Sequence, residues 1–147
     1  MNRAMVFGLG LFFFGALVSS AGDATKEDLK RMQGKWKFVE RIIDGKKADQ
    51  KGTWTFSGNE IIYGPDSNIR AVLKLDATTK PKTFDFNHVS KDGKIVDKIL
   101  GIYEIEGDTF KICVSIPGTS AARPKAFESK EGSGHTLTVL QRVKDEK

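Results

Sequence analysis

Apolar and polar residues alternate along most of the chain after Gly34, and this period of two is typical of half-buried β-strands. The pattern predicts eight strands, at residues 36–42, 54–56, 60–63, 71–75, 84–86, 98–105, 109–115 and 135–143. Turn sequences such as Asp44-Gly45 and Glu106-Gly107-Asp108 separate several of these segments. Because Asp and Gly favour tight hairpin turns, consecutive strands are expected to pair antiparallel.

The segment before the first strand, residues 22–33, is predicted to be a short helix. Thr25 is placed to cap its start, and Leu29 and Met32 form a small apolar stripe. Gly34 then suits the end of the helix. No longer amphipathic segment follows that could cross over a sheet, so the chain is predicted to be all-β. Eight strands are enough for an antiparallel up-and-down barrel to close, with a β-sandwich as the alternative.

The first residues of the chain fit the plan of a secretory signal peptide. An uncharged apolar run at residues 5–18 is followed by the small residues Ser19 and Ala21, which suit cleavage after Ala21. The run is shorter than the ~20 residues that a membrane-spanning helix needs. We therefore expect a signal peptide at residues 1–21 and one domain at 22–147. That domain would be periplasmic or secreted, without stable membrane insertion after cleavage; a retained anchor is the alternative.

Charge and cysteine content narrow the classes of function. The chain carries 24 basic and 19 acidic residues, and its lysines are spread out rather than gathered in a run. Nucleic-acid-binding proteins usually concentrate basic residues in a stripe, so we expect no nucleic-acid partner. The single cysteine, Cys113, allows no internal disulfide. Packing is therefore expected to hold the domain together.

Few residues offer catalytic chemistry. His88 and His135 are the only histidines, and with one cysteine they do not make up a metal site, so neither metal nor cofactor is expected. A Cys113–His135 nucleophile pair is conceivable, but Cys113 lies in an apolar strand and His135 follows a glycine-rich turn. Glu40 and Glu104 lie on predicted strands, although nothing pairs them for glycoside cleavage. Hydrolysis is accordingly the weakest functional hypothesis.

Strand parity decides which of these side chains face the interior. In the first strand, Trp36, Phe38 and Ile42 alternate with Lys37 and Arg41. The same parity points Glu40 inward, near the end of the strand, unless it lies on an exposed rim.

Two predicted strands have aromatic faces. Trp54 and Phe56 alternate with threonines, and Phe84 and Phe86 alternate with polar residues. The first interpretation of this pattern is core packing. The sharper one is an apolar ligand cavity lined by these four rings, with His88 as a polar anchor at its mouth. The sequence leaves both open.

The order of the elements resembles the calycins, the superfamily of lipocalins and fatty-acid-binding proteins. The residues that carry the resemblance are Gly34-Lys35-Trp36-Lys37 after the short helix, and Arg142 on the last strand. In calycins the tryptophan packs across the closed end of the barrel and a late arginine lies over its ring. The resemblance therefore implies a structural cation–π contact between Trp36 and Arg142. If Leu137, Val139 and Val143 faced inward, Arg142 would need a bulge to reach the ring.

A second resemblance covers nearly the whole domain. The chain is similar to a conserved domain family of unknown function that is abundant in planctomycete bacteria and is described as lipocalin-like. The matching pieces are Asp44-Gly45-Lys46, Lys80-Pro81-Lys82, Gly101-Ile102-Tyr103-Glu104, Gly107 to Cys113, Arg123-Pro124, Gly132-Ser133-Gly134-His135 and Leu140-Gln141-Arg142. Ala71-Val72-Leu73 departs from its pattern. The family implies a fold and no established activity.

Taken together, these features predict an all-β, eight-stranded, lipocalin-like barrel with a short N-terminal helix. The leading functional hypothesis is an exported, non-catalytic domain that binds a small apolar or amphipathic molecule. The alternative is a cell-envelope module that binds protein or polysaccharide through its outer surface.

Overall fold

The structure, a computed structural model, describes residues 21–49, 51–64 and 70–144. Almost all of the expected signal peptide lies outside these ranges. The described residues form one helix and ten strands: α1 (Ala21–Met32), β1 (Gly34–Ile43), β2 (Lys46–Lys47), β3 (Thr53–Ser57), β4 (Glu60–Tyr63), β5 (Arg70–Asp76), β6 (Lys82–Val89), β7 (Ile95–Ile99), β8 (Gly101–Glu106), β9 (Thr109–Ser115) and β10 (His135–Arg142).

The strands form one antiparallel sheet that closes into a barrel. Each long strand pairs with the next one along the chain, and β10 pairs with β1. Eight strand positions complete the circle, because β7 and β8 share one position beside β6 and the two-residue β2 only extends the pairing of β1. The predicted eight-stranded barrel with a short helix before its first strand is therefore confirmed.

The strand predicted at residues 98–105 is divided in the structure. β7 ends at Ile99 and β8 begins at Gly101, and Leu100 between them exchanges hydrogen bonds with Ser115. A Cβ atom at Gly101 would lie only 2.6–2.8 Å from the Val114 side chain and from two backbone oxygens. A glycine is therefore needed where β8 passes so close to its neighbours.

The helix α1 begins at Ala21, so Thr25 lies inside it and does not cap its start as predicted. The Thr25 hydroxyl instead accepts a hydrogen bond from the backbone N–H of Ala77 at 3.1 Å. Met32, from the predicted apolar stripe, is completely buried. The helix thus packs against the barrel through its last turn.

The last four carbonyl groups of an α-helix have no partners within it. In α1 these carbonyls belong to residues 29–32, and each accepts a hydrogen bond from a residue that follows the helix. Gln33 supplies two donors, Trp36 supplies one, and Arg142 supplies the fourth. The first and last strands therefore hold the helix end in place.

Aromatic rings fill the barrel beneath α1. The ring of Phe110 contacts four others, with centroid distances of 5.5 to 6.2 Å. All five rings are at most 2% exposed; they belong to Trp36, Phe56, Phe84, Tyr103 and Phe110. This end of the barrel is consequently solid.

A buried carboxylate ties α1 to the barrel wall. Asp28 is 4% exposed and accepts hydrogen bonds from the Tyr103 hydroxyl at 2.8 Å and the Lys82 ammonium group at 2.6 Å. Burial raises the pKa of Asp28, but these hydrogen bonds and the charges of Lys82 and Arg31 outweigh it and hold the pKa below its ordinary value. The fold therefore stabilises the ionised carboxylate.

The interior face of β10 consists of Thr136, Thr138 and Leu140, all buried. Leu137 is half-buried on the opposite face. Arg142 follows Leu140 on the interior face, so it reaches Trp36 without a bulge in β10.

Candidate functional site

A cavity of about 470 Å³ lies in the half of the barrel away from α1. Along β1, Trp36 belongs to the solid end, whereas Phe38 and Arg41, further along the strand, line the cavity. Lys51 and Pro117 also line it and are exposed, so they mark its opening to solvent. The barrel is thus packed at one end and hollow at the other.

Apolar side chains form the deeper walls of the cavity. They include Phe38, Trp54, Phe86, Ile99 and Ile112. The Phe38 and Trp54 rings meet edge to face with centroids 5.3 Å apart. Because these residues come from β1, β3, β6, β7 and β9, the apolar lining surrounds most of the interior.

The five residues predicted to line a ligand cavity divide between the two halves. Trp54, Phe86 and His88 do line it. Phe56 and Phe84 do not line this cavity, since both lie in the solid aromatic cluster below it. Alternation correctly showed that the rings face inward. It could not show the depth at which packing ends and the cavity begins.

One side of the cavity is polar. The Tyr63 hydroxyl lies 3.1 Å from His88 Nε2, and His88 Nδ1 lies 3.4 Å from Asp97 Oδ2. Burial raises the pKa of Tyr63 above its ordinary value, although the nearby charge of Arg41 acts in the opposite direction. Tyr63 therefore stays protonated at neutral pH and can donate a hydrogen bond.

Arg41 faces the cavity because of a β-bulge in β1. The register with β10 shifts between Phe38 and Glu40, so Val39 is an extra residue on this strand. A bulge restarts the alternation of side chains, and Arg41 takes the interior face. The prediction that Arg41 lies on the polar outer face was wrong, whereas Glu40 takes the exposed one of the two positions that the sequence left open.

The guanidinium of Arg41 lies at the border between the apolar and polar linings. Its central carbon is 5.9 Å from the centroid of the Phe38 ring, and its Cα pairs with that of Thr138 on β10. Burial lowers the pKa of Arg41, although the neighbouring Tyr63 acts in the opposite direction. An arginine nevertheless keeps its charge at any physiological pH.

Sequence reasoning missed several lining residues besides Arg41. Tyr63 lies on a predicted strand but was not assigned to the cavity. The one clue to its position was His88, the predicted polar anchor, which lies beside it in the structure. Thr136 and Thr138 were overlooked because leucine and valine alternate with them along β10. Periodicity alone favours the apolar face as the interior, but here the hydroxyl face lines the cavity.

Cys113 and His135 are not brought together as a catalytic pair. The Cys113 thiol donates to the backbone carbonyl of Glu128, whereas His135 Nε2 lies 3.0 Å from the carbonyl oxygen of Ala122. Cys113 is fully buried, and burial raises the pKa of its thiol to about 11. Thiolate formation is thereby disfavoured, which is the opposite of what a nucleophile needs.

The loop at residues 116–134 covers Cys113 on the outside of the barrel. Arg123 fastens this loop through a two-pronged ion pair with Asp85 on β6, one arm of which measures 2.9 Å. It also donates to the carbonyl of Gly101 at 2.8 Å. The neighbouring Pro124 is buried. The loop is thus attached to two strands of the wall.

The remaining candidates lie outside the cavity. Glu104 is exposed on β8, opposite Lys111 on β9. Within residues 21–49, 51–64 and 70–144, no group of three or more His, Cys, Asp or Glu side chains could hold a metal ion. Over the same part of the chain, no helix has the length and apolar character needed to cross a membrane.

The fold and site together define a closed antiparallel β-barrel with an internal cavity in the half away from α1. Comparisons of the chain with protein-family models, with curated proteins and with solved structures find no match.

Proposed function

We propose that this protein binds a small apolar or amphipathic molecule inside the barrel and performs no chemistry on it. The observation that carries the proposal is the cavity of about 470 Å³, which has aromatic and aliphatic deeper walls and a polar side. Ligand sites in proteins are commonly 300–1,000 Å³ in volume and combine apolar walls with a few placed polar groups. Both features are present here.

An interaction through the outer surface is the second candidate. Ile95 and Val96 on β7 are 61% and 63% exposed and are adjacent in the chain. Neighbouring exposed apolar side chains are common at protein contacts. Of the two partners considered for the outer surface, protein and polysaccharide, these aliphatic side chains favour a protein.

Native mass spectrometry of protein purified from its own host tests the first proposal. We expect a mass excess over the polypeptide that disappears on denaturation and is recovered as a small molecule in an organic extract. Binding that requires the cavity should be lost in Thr138→Phe, because the added ring enters the cavity. Thr109→Phe is the control, since Thr109 is exposed on β9.

Bound molecules retained equally by both variants would contradict a cavity ligand. A chain without a small molecule but with a co-purifying macromolecule would favour the outer-surface alternative.

A further inference from the structure

Three side chains form a chain of hydrogen bonds on the polar side of the cavity. The Tyr63 hydroxyl lies 3.1 Å from His88 Nε2, and His88 Nδ1 lies 3.4 Å from Asp97 Oδ2. Tyr63 and His88 line the cavity, whereas Asp97 lies behind the imidazole. A molecule in the cavity can therefore contact Tyr63 and His88, and Asp97 acts on it through His88.

Packing holds the Tyr63 and His88 rings in place. The Tyr63 ring meets the Trp54 ring edge to face, with centroids 5.4 Å apart. The His88 ring contacts the rings of Tyr63 and Phe86, at centroid distances of 5.6 and 5.4 Å. Ala71 pairs with His88 from β5, the strand between β4 and β6. Its short side chain leaves room for the two rings to meet across β5.

The position of Asp97 fixes the direction of the hydrogen bond between Tyr63 and His88. An ionised carboxylate accepts hydrogen bonds and does not donate them, and its charge favours a proton on the nearby Nδ1. A neutral imidazole carries one proton, so its other nitrogen is an acceptor. Nε2 of neutral His88 therefore accepts from the Tyr63 hydroxyl. The Tyr63 oxygen is then left with lone pairs, and no proton, to offer to a ligand.

Protonation of His88 would reverse this hydrogen bond. Both nitrogens of a protonated imidazole are donors, so Nε2 would donate to the Tyr63 oxygen and the hydroxyl proton would be free to face the cavity. Histidine ordinarily changes its charge between about pH 5 and 8. The charged residues among the described lining residues are Arg41 and Lys51. Both are of types that ordinarily stay charged throughout this range, so they contribute equally at its two ends.

We propose that His88 sets the direction in which the Tyr63 hydroxyl bonds, and so selects the polar group of the ligand. With His88 neutral, the cavity favours a group that donates a hydrogen bond, such as an alcohol, over one that only accepts, such as a ketone. Protonation of His88 removes this preference. Tyr63 contacts the ligand, and His88 is a positioning residue. The inference rests on the proposed ligand-binding function and adds the chemical class of the ligand's polar group.

Calorimetric titration with 2-decanol and 2-decanone tests the inference. The two probes share one carbon skeleton, differ in the polar group and do not ionise between pH 5 and pH 8. At pH 8 we expect the alcohol to bind about two- to tenfold more tightly than the ketone, which is the contribution of one hydrogen bond. At pH 5 this ratio should fall towards one, because the ketone can then accept from Tyr63.

Three variants identify the residues responsible. Tyr63→Phe should remove the preference at both pH values, because the hydroxyl is gone. His88→Gln should make the ratio independent of pH. His135→Gln is the matched control, since this second histidine bonds to the carbonyl of Ala122 and lies outside the cavity. It should keep the wild-type behaviour. Circular dichroism and thermal unfolding establish that each variant is folded before it is titrated.

Two different failures can be told apart. A ratio that is the same at pH 5 and pH 8 in the wild type would overturn the inference and leave ligand binding standing. A pH dependence that persists in His88→Gln, or that is lost in His135→Gln, would do the same. No binding of either probe to the wild-type chain would reject the cavity function, and the inference with it.

Discussion

The guanidinium carbon of Arg142 lies 4.4 Å from the centre of the Trp36 ring. The two residues are also paired across β1 and β10, the strands that close the barrel. Arg142 donates to the carbonyls of Arg31 and Gln33, and Trp36 donates to the carbonyl of Met32. A single contact thus joins the end of the helix to the first and last strands.

Replacement of Trp36 should be among the most damaging changes at the closed end. Trp36→Ala is expected to lower the free energy of unfolding by about 3–5 kcal/mol, because loss of a fully buried indole leaves a cavity. Urea denaturation measures the change. Val39→Ala, at a residue 60% exposed, is the control and should stay within about 0.5 kcal/mol of the wild type. A loss below 1 kcal/mol for Trp36→Ala would contradict the structural role.

The contribution of Arg142 to stability can be distinguished from that of a surface ion pair. Arg142→Gln should cost about 1–3 kcal/mol, because the carbonyls of Arg31 and Gln33 lose charged donors and the indole loses its cation. Lys144→Gln is the matched control, since Lys144 and Arg142 both pair with Asp108. Lys144 is 80% exposed, and such surface pairs contribute about 0–1 kcal/mol. Equal losses in the two variants would show that the contact with Trp36 and the helix adds nothing.

The architecture was predictable because it follows from local patterns. Each predicted strand has a counterpart in the barrel, since alternation and turn residues act over a few positions. The division of the strand at residues 98–105 was missed because alternation hardly changes at Leu100. It depends on a tertiary constraint, the close approach of the wall to Gly101.

The site was only partly predictable, for two physical reasons. Alternation gives the face of a residue but not its depth, so Phe84 and Phe86 looked equivalent although only Phe86 lines the cavity. A bulge leaves little trace in one sequence, so Arg41 was assigned to the wrong face. Beyond a bulge, the side chains expected to face inward face outward, and the reverse. Arg41, the main polar group of the site, was therefore missed.

Export of the chain remains a prediction. We propose that cleavage after Ala21 leaves a mature protein that begins at Gly22 or within a few residues of it, because Ser19 and Ala21 fit the cleavage rule. N-terminal sequencing of protein from the extracytoplasmic fraction measures this. An intact Met1 on that protein would favour a retained anchor instead.

Because of Asp28, the stability of the folded protein should depend on pH. Its lowered pKa means that the ionised form stabilises the fold at any pH above the ordinary value of 3.8, and that this contribution is lost as the pH falls through the lowered pKa. Asp28→Asn should therefore be less stable than the wild type at pH 7, by about 1–3 kcal/mol, and the difference should shrink in strong acid.

Denaturant titrations between pH 7 and pH 2.5 measure this difference. Glu27→Gln, on the exposed face of the same helix, is the control and should change stability little. A stability difference for Asp28→Asn that is constant across this range would show that the charge of Asp28 is not what matters.

The thiol of Cys113 reports on the loop that covers it. In the native wild type we expect slow alkylation at neutral pH, because the thiol is buried and its raised pKa keeps it protonated. Arg123→Gln should speed the reaction about tenfold, since it removes the ion pair with Asp85 that fastens the loop. Lys125→Gln, exposed in the same loop, should leave the rate unchanged. Mass spectrometry after timed quenching follows the labelling. Rapid labelling of the wild type, or the same rate in the two variants, would mean that this loop does not control access to Cys113.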